Sequence, residues 1–324
     1  MKHLSKIIIQ ILSIILILKP NLLITSDYAI KLNKINDGVW VYIPSEEQME
    51  NKIVVSNIGV IEGDNYSLVI DAGNSISFAN QLLEELKKIT VKPIKYLIIT
   101  HRHYDHSFGL EAFAKEQTED YMDKNEFQLL KSEGPLIKKM IFKESDTIEK
   151  VANFKNIANL RINHLADQKI LDLGNRKVLI KNVGRAHTNG DLIIYDFKSK
   201  SYFVGDLVFS GRAAAFSDAN VKLWLKKLDK IFNYSWNYML PGHGKLLYKE
   251  QEINDTKYWL SFIDNSLVRS IKQGDMISEI LNYKYPEKIN NLKFKDINFK
   301  RGIKKQFKLY KEKNVIMQYL KRFF

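Results

Sequence analysis

The chain has 324 residues, a length that allows one large domain with additions or two small domains. It has no cysteine, which excludes disulfide bonds, thiolate metal sites and cysteine nucleophiles. Lysine and arginine together number 50 against 37 aspartates and glutamates, so the formal net charge is +13 at pH 7.

The first 27 residues have the pattern of a signal peptide. Three residues at the start, Lys2, His3 and Lys6, are basic, and residues 7–18 are nearly all isoleucine and leucine. An apolar run of about a dozen residues is short for a membrane span and typical of a signal sequence. The sequence therefore predicts export to the periplasm, with retention of the segment as an inner-membrane anchor as the open alternative.

Strand and helix patterns alternate in the next part of the chain. Strands are predicted over 39–43 and 53–55, where β-branched and aromatic residues dominate, and a hairpin over 58–70 around the turn at Gly63. An amphipathic helix over 75–88, a buried strand over 94–100 and a helix over 108–115 follow. This alternation predicts a layered α/β domain.

The strand predicted over 94–100 ends in the densest group of metal-ligand side chains in the chain, Thr100-His101-Arg102-His103-Tyr104-Asp105-His106. In extended backbone, His101 and His103 project to the same side. Asp105 and His106 follow in a turn, so one short segment offers ligands to two metal positions. Imidazole and carboxylate ligands suit zinc, with manganese or iron as weaker alternatives.

Residues 123–159 are mostly charged and helical in pattern, with an interruption predicted at Gly134-Pro135. They indicate a helical insertion that covers one wall of the site. A second series of strands is predicted over 169–209, then a helix over 221–232 and a short strand over 238–240.

Residues 251–324 are predicted to form a basic helical extension, with a loop near 283–299. An apolar stripe on its last helix predicts packing against the core; it consists of Ile303, Phe307, Tyr310, Met317 and Phe324. Residues 284–324 contain 13 basic and 3 acidic residues. Such a tail could contact anionic lipid or nucleic acid, but a solvated helical face is the favoured interpretation, and no nucleic-acid partner is expected.

Four ordered motifs resemble those of the metallo-β-lactamase superfamily: Thr-His-x-His-x-Asp-His at 100–106, the Gly184–Asp191 segment around His187, Gly205-Asp206, and Pro241-Gly242-His243-Gly244. The likeness covers about residues 38–250. It implies a catalytic domain over 28–250 with that family's αββα sandwich, and leaves 251–324 as an extension.

The resemblance also implies a site with two zinc ions. It assigns His101, His103 and His187 to the first ion and Asp105, His106 and His243 to the second, with Asp206 bridging them. A water between the ions would lose its proton near neutral pH and attack the substrate, and Asp105 would orient the resulting hydroxide. Asp71, which follows a predicted strand, either supports this site or bonds its own turn.

Three further residues are candidates for outer or substrate contacts. Thr188 and Asp191 could fix the tautomers of the imidazole ligands, and Arg212 could meet an anionic group of the substrate.

By the resemblance, the well-known zinc β-lactamases have either a cysteine at the position of Asp206 or no bridging aspartate. The bridging Asp206 therefore distinguishes this ligand set from theirs. We therefore expect hydrolysis of a small ester, thioester or amide, with a β-lactamase as the alternative. A phosphodiesterase and a non-catalytic binding protein are less favoured. The residues over 205–244 are most similar to exported zinc metallohydrolases associated with quinoprotein dehydrogenase and sulfur-oxidation systems.

Overall fold

The structure, a computed structural model, describes residues 30–45, 56–144 and 151–320. The predicted signal peptide and the strand predicted over 53–55 lie outside these residues. In the part of the chain that is described, no helix is both long and apolar enough to cross a membrane.

The first sheet has seven strands whose spatial order is their order in the chain. Strands β1 to β4 are antiparallel neighbours, and β4 to β7 are parallel neighbours. The strands are β1 (Asn33–Asn36), β2 (Val39–Tyr42), β3 (Ile58–Glu62), β4 (Ser67–Ile70), β5 (Ile94–Ile98), β6 (Glu119–Met122) and β7 (Ile162–His164).

The second sheet has five strands in the order β12-β11-β10-β9-β8. The β11–β12 pair is parallel, and the other pairs are antiparallel. The strands are β8 (Gln168–Asp172), β9 (Lys177–Gly184), β10 (Asp191–Asp196), β11 (Ser201–Phe203) and β12 (Tyr238–Leu240).

Period-two alternation along the strands divides the apolar side chains between three core layers. In β4, Leu68 and Ile70 face a core between the two sheets that also contains Ile180 and Phe203. Val69, on the other face, packs with the helices that cover the first sheet. A third core lies between the second sheet and the C-terminal helices. Helix, sheet, sheet and helix layers therefore make the predicted sandwich.

Helix α1 begins after Ser75, whose hydroxyl accepts a hydrogen bond from the backbone N–H of Phe78 at 3.1 Å. The helices before the second sheet are α1 (Ile76–Ile89), α2 (Tyr104–Ser107), a 3₁₀ helix (Leu110–Glu116), α3 (Lys124–Glu144) and α4 (Phe154–Ala158). Those within and after it are a 3₁₀ turn (Gly205–Leu207), α5 (Val221–Leu228), a 3₁₀ turn (Glu250–Ile253), α6 (Asn254–Gln273), α7 (Ile277–Ile280), α8 (Glu287–Asn290) and α9 (Lys295–Leu320).

Several predicted boundaries were wrong. The helix expected over 108–115 is a 3₁₀ helix, the helix expected to reach 232 ends at Leu228, and the last helix begins at Lys295 inside the expected loop. Helix α3 continues through Gly134-Pro135 instead of breaking there. A side chain at Gly134 would lie 2.2 Å from the ring of Phe154, so the glycine allows α4 to pack against α3.

Candidate metal centre

The predicted ligands lie where strands end and connections begin. His101 follows β5 after two residues, and α2 carries Asp105 and His106. His187 lies in the β9–β10 connection, Asp206 in the 3₁₀ turn after β11, and His243 after β12. Strands β9, β11 and β12 run in the same direction, because β10 is antiparallel to both β9 and β11 and β11 is parallel to β12. The connections after these three strands therefore leave one edge of the second sheet, and the connection after β5 meets them there.

The first ligand group consists of His101, His103, His187 and Asp206, with donor atoms within 4.8 Å of one another. The Nδ1 atom of His103 lies 3.1 Å from the Nε2 atoms of both His101 and His187. The Asp206 Oδ2 atom lies 3.4 Å from His187 Nε2 and 3.9 Å from His101 Nε2. Three imidazoles thus converge on one point beside a carboxylate oxygen.

The second group consists of Asp105, His106 and His243. The Oδ2 atom of Asp105 lies 3.0 Å from His243 Nε2 and 3.7 Å from His106 Nε2. The other oxygen of Asp206, Oδ1, lies 3.2 Å from His106 Nε2 and 3.5 Å from His243 Nε2. Asp206 therefore presents one oxygen to each group.

The close approach of the His243 turn to Asp206 depends on Gly242. A Cβ at this position would lie 1.9 Å from Asp206 Oδ1. Asn57 holds the same turn, because its amide donates hydrogen bonds to the carbonyls of Pro241 at 2.9 Å and Gly244 at 3.0 Å. These contacts explain why this motif has glycine beside its histidine.

Asp71 supports the second group from beneath. Its carboxylate accepts hydrogen bonds from the backbone N–H of Thr100 at 2.8 Å and from the Thr100 hydroxyl. Its Oδ2 atom also lies 2.8 Å from His106 Nδ1, which directs Nε2 of that ring into the site. Of the two interpretations left open by the sequence, the supporting one is confirmed.

Asp218 supports the first group. Its Oδ2 atom lies 3.0 Å from His103 Nε2 and accepts a hydrogen bond from Arg102 Nη2 at 2.9 Å. Arg102 is itself buried against Glu126 of helix α3, whose carboxylate accepts from both the backbone and the guanidinium of Arg102. Helix α3 therefore contacts the site through a buried ion pair.

The charges of the site suit cation binding. Burial lowers the pKa of His101 well below its usual value and lowers the pKa of His187 to about 3, so both rings are neutral at neutral pH. Burial alone would raise the pKa of Asp206, but the surrounding imidazoles of His243, His106 and His187 hold it well below its usual range. Burial would likewise lower the pKa of His106, but Asp206, Asp71 and Asp105 raise it well above its usual value, so a cation there displaces a proton.

Two donor atoms of the cluster, His106 Nε2 and Asp206 Oδ1, are buried and lie 3.2 Å apart, but neither makes a hydrogen bond of regular geometry in the described part of the chain. Such atoms are costly to bury unless something binds them. Imidazole nitrogens and carboxylate oxygens are ligands for divalent metal ions, so the residues present fit such ions at both groups.

The predicted contacts of Thr188 and Asp191 with the imidazoles are not among the hydrogen bonds of the described residues. Thr188 instead donates from its backbone and its hydroxyl to Asp191, the latter at 2.7 Å. This pair closes the turn that carries His187. Thr100, Asp71 and Asp218 contact the imidazoles instead.

Arg212 lies close enough to Asp206 and Asp105 for their charges to act on it, and it packs against Phe294 of the C-terminal extension. Burial lowers the pKa of its guanidinium, against the effect of Asp206 and Asp105, which raise it. The guanidinium lies 4.5 Å from the centroid of the Phe294 ring.

The sequence did not single out Asn57, Glu126 or Asp218. Each is an isolated polar residue outside any motif, and its partner lies between 24 and 187 positions away in the chain. Spacing therefore carries no signal for such contacts, and only the hydrogen bonds of the folded chain reveal them.

Comparison with known proteins identifies the family to which this fold and ligand set are similar. A family model described as the metallo-beta-lactamase superfamily matches residues 52–243. A Bacillus sp. (strain 170) protein named metallo-beta-lactamase type 2 is 24% identical over 223 residues, which are 67% of this chain and 77% of that protein.

Solved structures share the fold. TMB-1 has a TM-score of 0.56 at 19% identity, covering 73% of this chain and 99% of that one. A metallo-beta-lactamase from Pontibacter korlensis has a TM-score of 0.55 at 17% identity, covering 72% of this chain and 99% of the other.

Proposed function

The chain belongs to the metallo-beta-lactamase superfamily, and on that premise we propose that it is a hydrolase that uses two divalent metal ions to cleave a small ester, thioester or amide. The observation that carries the proposal is the convergence of two ligand groups on the two oxygens of Asp206.

The first ion would be held by His101, His103 and His187, and the second by Asp105, His106 and His243, with Asp206 shared between them. When bound, the ions supply Lewis-acid chemistry, activating a water molecule as the nucleophile and polarising the substrate's oxygen. Zinc is the favoured metal because imidazole dominates the ligand set, and manganese and iron are the alternatives.

The chain's own residues supply orientation and charge. Asp105 directs one oxygen toward the second ligand group, 3.0 Å from His243 Nε2, where it can also accept a proton from the attacking water. Burial of the site strengthens these electrostatic interactions relative to water. Arg212 would contact an anionic group of the substrate.

A β-lactam remains the alternative substrate, because the Bacillus relative is named as a metallo-beta-lactamase type 2. The aspartate at position 206 favours the general hydrolase. The narrower likeness to quinoprotein- and sulfur-oxidation-associated metallohydrolases stays a prediction.

The proposed location is the periplasm, on the basis of the first 27 residues. Sequencing the N terminus of the mature protein from fractionated cells tests it. A chain that begins at Met1 in the membrane fraction would indicate an anchor instead, and one in the cytosol would contradict export.

Metal analysis of the purified protein, followed by turnover of chromogenic thioesters, esters, amides and the lactam nitrocefin, tests the proposed chemistry. We expect about two equivalents of divalent metal and turnover of a thioester, ester or amide that a chelator abolishes and added metal restores. Nitrocefin turnover alone would favour the β-lactamase.

The His243→Ala variant should lose turnover together with one metal equivalent, while Lys245→Ala, a neighbouring change outside the ligand set, serves as the control. Wild-type protein that binds no divalent metal, or whose turnover survives chelation, would contradict the proposal.

A further inference from the structure

His103 differs from the other histidines of the site in how it is held. It presents Nδ1 to the cluster, and its Nε2 atom is directed outward to Asp218 at 3.0 Å. Its side chain is 23% exposed, whereas those of His101, His106, His187 and His243 are at most 5% exposed. Surrounding packing therefore restrains His103 least, and its orientation depends most on Asp218.

Asp218 is in turn held by the C-terminal extension. Lys305 of helix α9 donates to its Oδ1 atom at 2.5 Å, while Oδ2 contacts His103 and Arg102. Both oxygens of this carboxylate are thus occupied, one by α9 and one by the ligand turn. This arrangement limits rotation of the carboxylate away from His103.

Helix α9 also fixes the backbone around Asp218. The buried amide nitrogen of Gln306 lies within hydrogen-bond distance of the carbonyls of Phe216 at 2.9 Å, Ser217 at 3.2 Å and Ala219 at 2.9 Å, and its two hydrogens are shared among these three acceptors. Three carbonyl acceptors around one nitrogen define the orientation of this amide. The loop is therefore held on both sides of Asp218.

Two further contacts fasten the same loop to α9. A side chain at Gly302 would lie 2.6 Å from the ring of Phe216, so the glycine allows the helix to lie directly against the loop. Asn298 donates to the carbonyl of Ala213 at 2.8 Å. Four positions of α9 over residues 298–306 thus contact the segment from 213 to 219.

We infer that helix α9 helps to form the first metal position. Lys305 and Gln306 of this helix position Asp218, and Asp218 positions His103 for the first metal ion. The inference rests on the proposed metal binding but goes beyond it, because it assigns a role to an extension outside the residues that the family model matches. Asp218, Lys305 and Gln306 are positioning residues and need not contact substrate.

Metal affinity measured by competition with a chromogenic chelator tests this chain of contacts. Asp218→Asn should weaken one of the two metal equivalents by about 10–100-fold, as loss of an outer partner does, and leave the other unchanged. Lys305→Met should weaken the same equivalent by a smaller factor, and Lys305→Arg should restore it. Lys304→Met removes an exposed neighbouring lysine of α9 and is the matched control.

Cobalt substitution adds a readout that a general loss of stability would not change. The visible absorption bands of the cobalt-loaded protein should shift in Asp218→Asn and Lys305→Met but not in Lys304→Met. Gln306→Met should give the same shift if it folds. If it does not fold, Lys305→Met, a change at an exposed residue, tests the contribution of α9.

Two equivalents bound with wild-type affinity by both Asp218→Asn and Lys305→Met would overturn the inference and leave the proposed hydrolase intact. Equal effects of Lys304→Met and Lys305→Met would also overturn it. Wild-type protein that binds no divalent metal would overturn both proposals.

Discussion

The two metal positions differ in where their support comes from. The second position is supported by the sandwich itself, through Asp71 and Thr100 after strands β4 and β5 and through Asn57 before β3. The first has Thr100 beside His101 and is supported in addition, through Arg102 and Asp218, by helices α3 and α9, which lie outside the two sheets. This contrast teaches that one position is held by residues beside the strands, whereas the other also depends on helices packed outside the two sheets.

Loss of Asp206 should affect both metal positions, because each of its two oxygens faces one ligand group. Asp206→Ala removes the oxygens that face His106 and His187, so both metal equivalents should weaken and kcat/KM should fall by more than about 100-fold, the upper range for loss of an outer partner. Metal analysis after dialysis and initial rates measure both effects. Retention of one tightly bound equivalent would show that Asp206 serves a single position.

Loss of Asp71 should act mainly on the second position, because its carboxylate contacts the ring of His106 directly and reaches His101 of the first position only through the hydroxyl of Thr100. Asp71→Ala removes the partner of His106 Nδ1, so the affinity of one equivalent should fall by about 10–100-fold. It also leaves the buried backbone N–H of Thr100 without its acceptor, at a cost of about 1–3 kcal/mol in the free energy of unfolding. Chelator competition and urea unfolding measure the two effects separately.

Asp172→Ala is the control for this prediction. Asp172 also ends a strand, but it is exposed, and its partner among the described residues is the nearby backbone N–H of Gly174 at 2.8 Å. Its loss should leave both metal equivalents unchanged. A double variant of Asp71→Ala with Asp218→Asn should weaken both equivalents, and weakening of only one would show that the two supports serve the same position.

The smallest effect on metal binding is expected at Asp120 in β6, away from both metal positions. Burial raises the pKa of Asp120 to about 6, although the hydrogen bond from Thr118 lowers it. With an unfolded-state pKa of about 3.9, the folded state binds more protons between about pH 4 and 6. The free energy of unfolding attributable to this group therefore falls as pH rises through that window and is level above it.

Asp120→Asn removes this ionisation while keeping an acceptor for Thr118. The free energy of unfolding of the variant minus that of the wild type should rise by about 1–3 kcal/mol between pH 4 and pH 7. Urea unfolding of the metal-free proteins measures this difference. Metal affinity should not change, because Asp120 affects the stability of the first sheet and does not orient a metal ligand. Parallel pH profiles for variant and wild type would contradict the assigned pKa.

The sequence predicted most strands and the helix α1, because period-two and period-3.6 patterns are local consequences of burying one face. It was less successful where packing overrides local preference. Helix α3 continues through Gly134-Pro135, and its glycine lies against Phe154 of another helix, a contact that no local pattern contains.

What the sequence determined by itself was the chemistry of the site: the donor types at seven positions, in motifs that lie at the ends of predicted strands. The tertiary structure alone decided how these side chains are held, through Asp71 beneath His106, Asp218 behind His103, and helix α9 behind Asp218. The physical reason is distance along the chain. Ligand motifs are short and local, whereas the polar groups that orient them find partners up to 187 positions away, and a linear pattern does not encode such pairings.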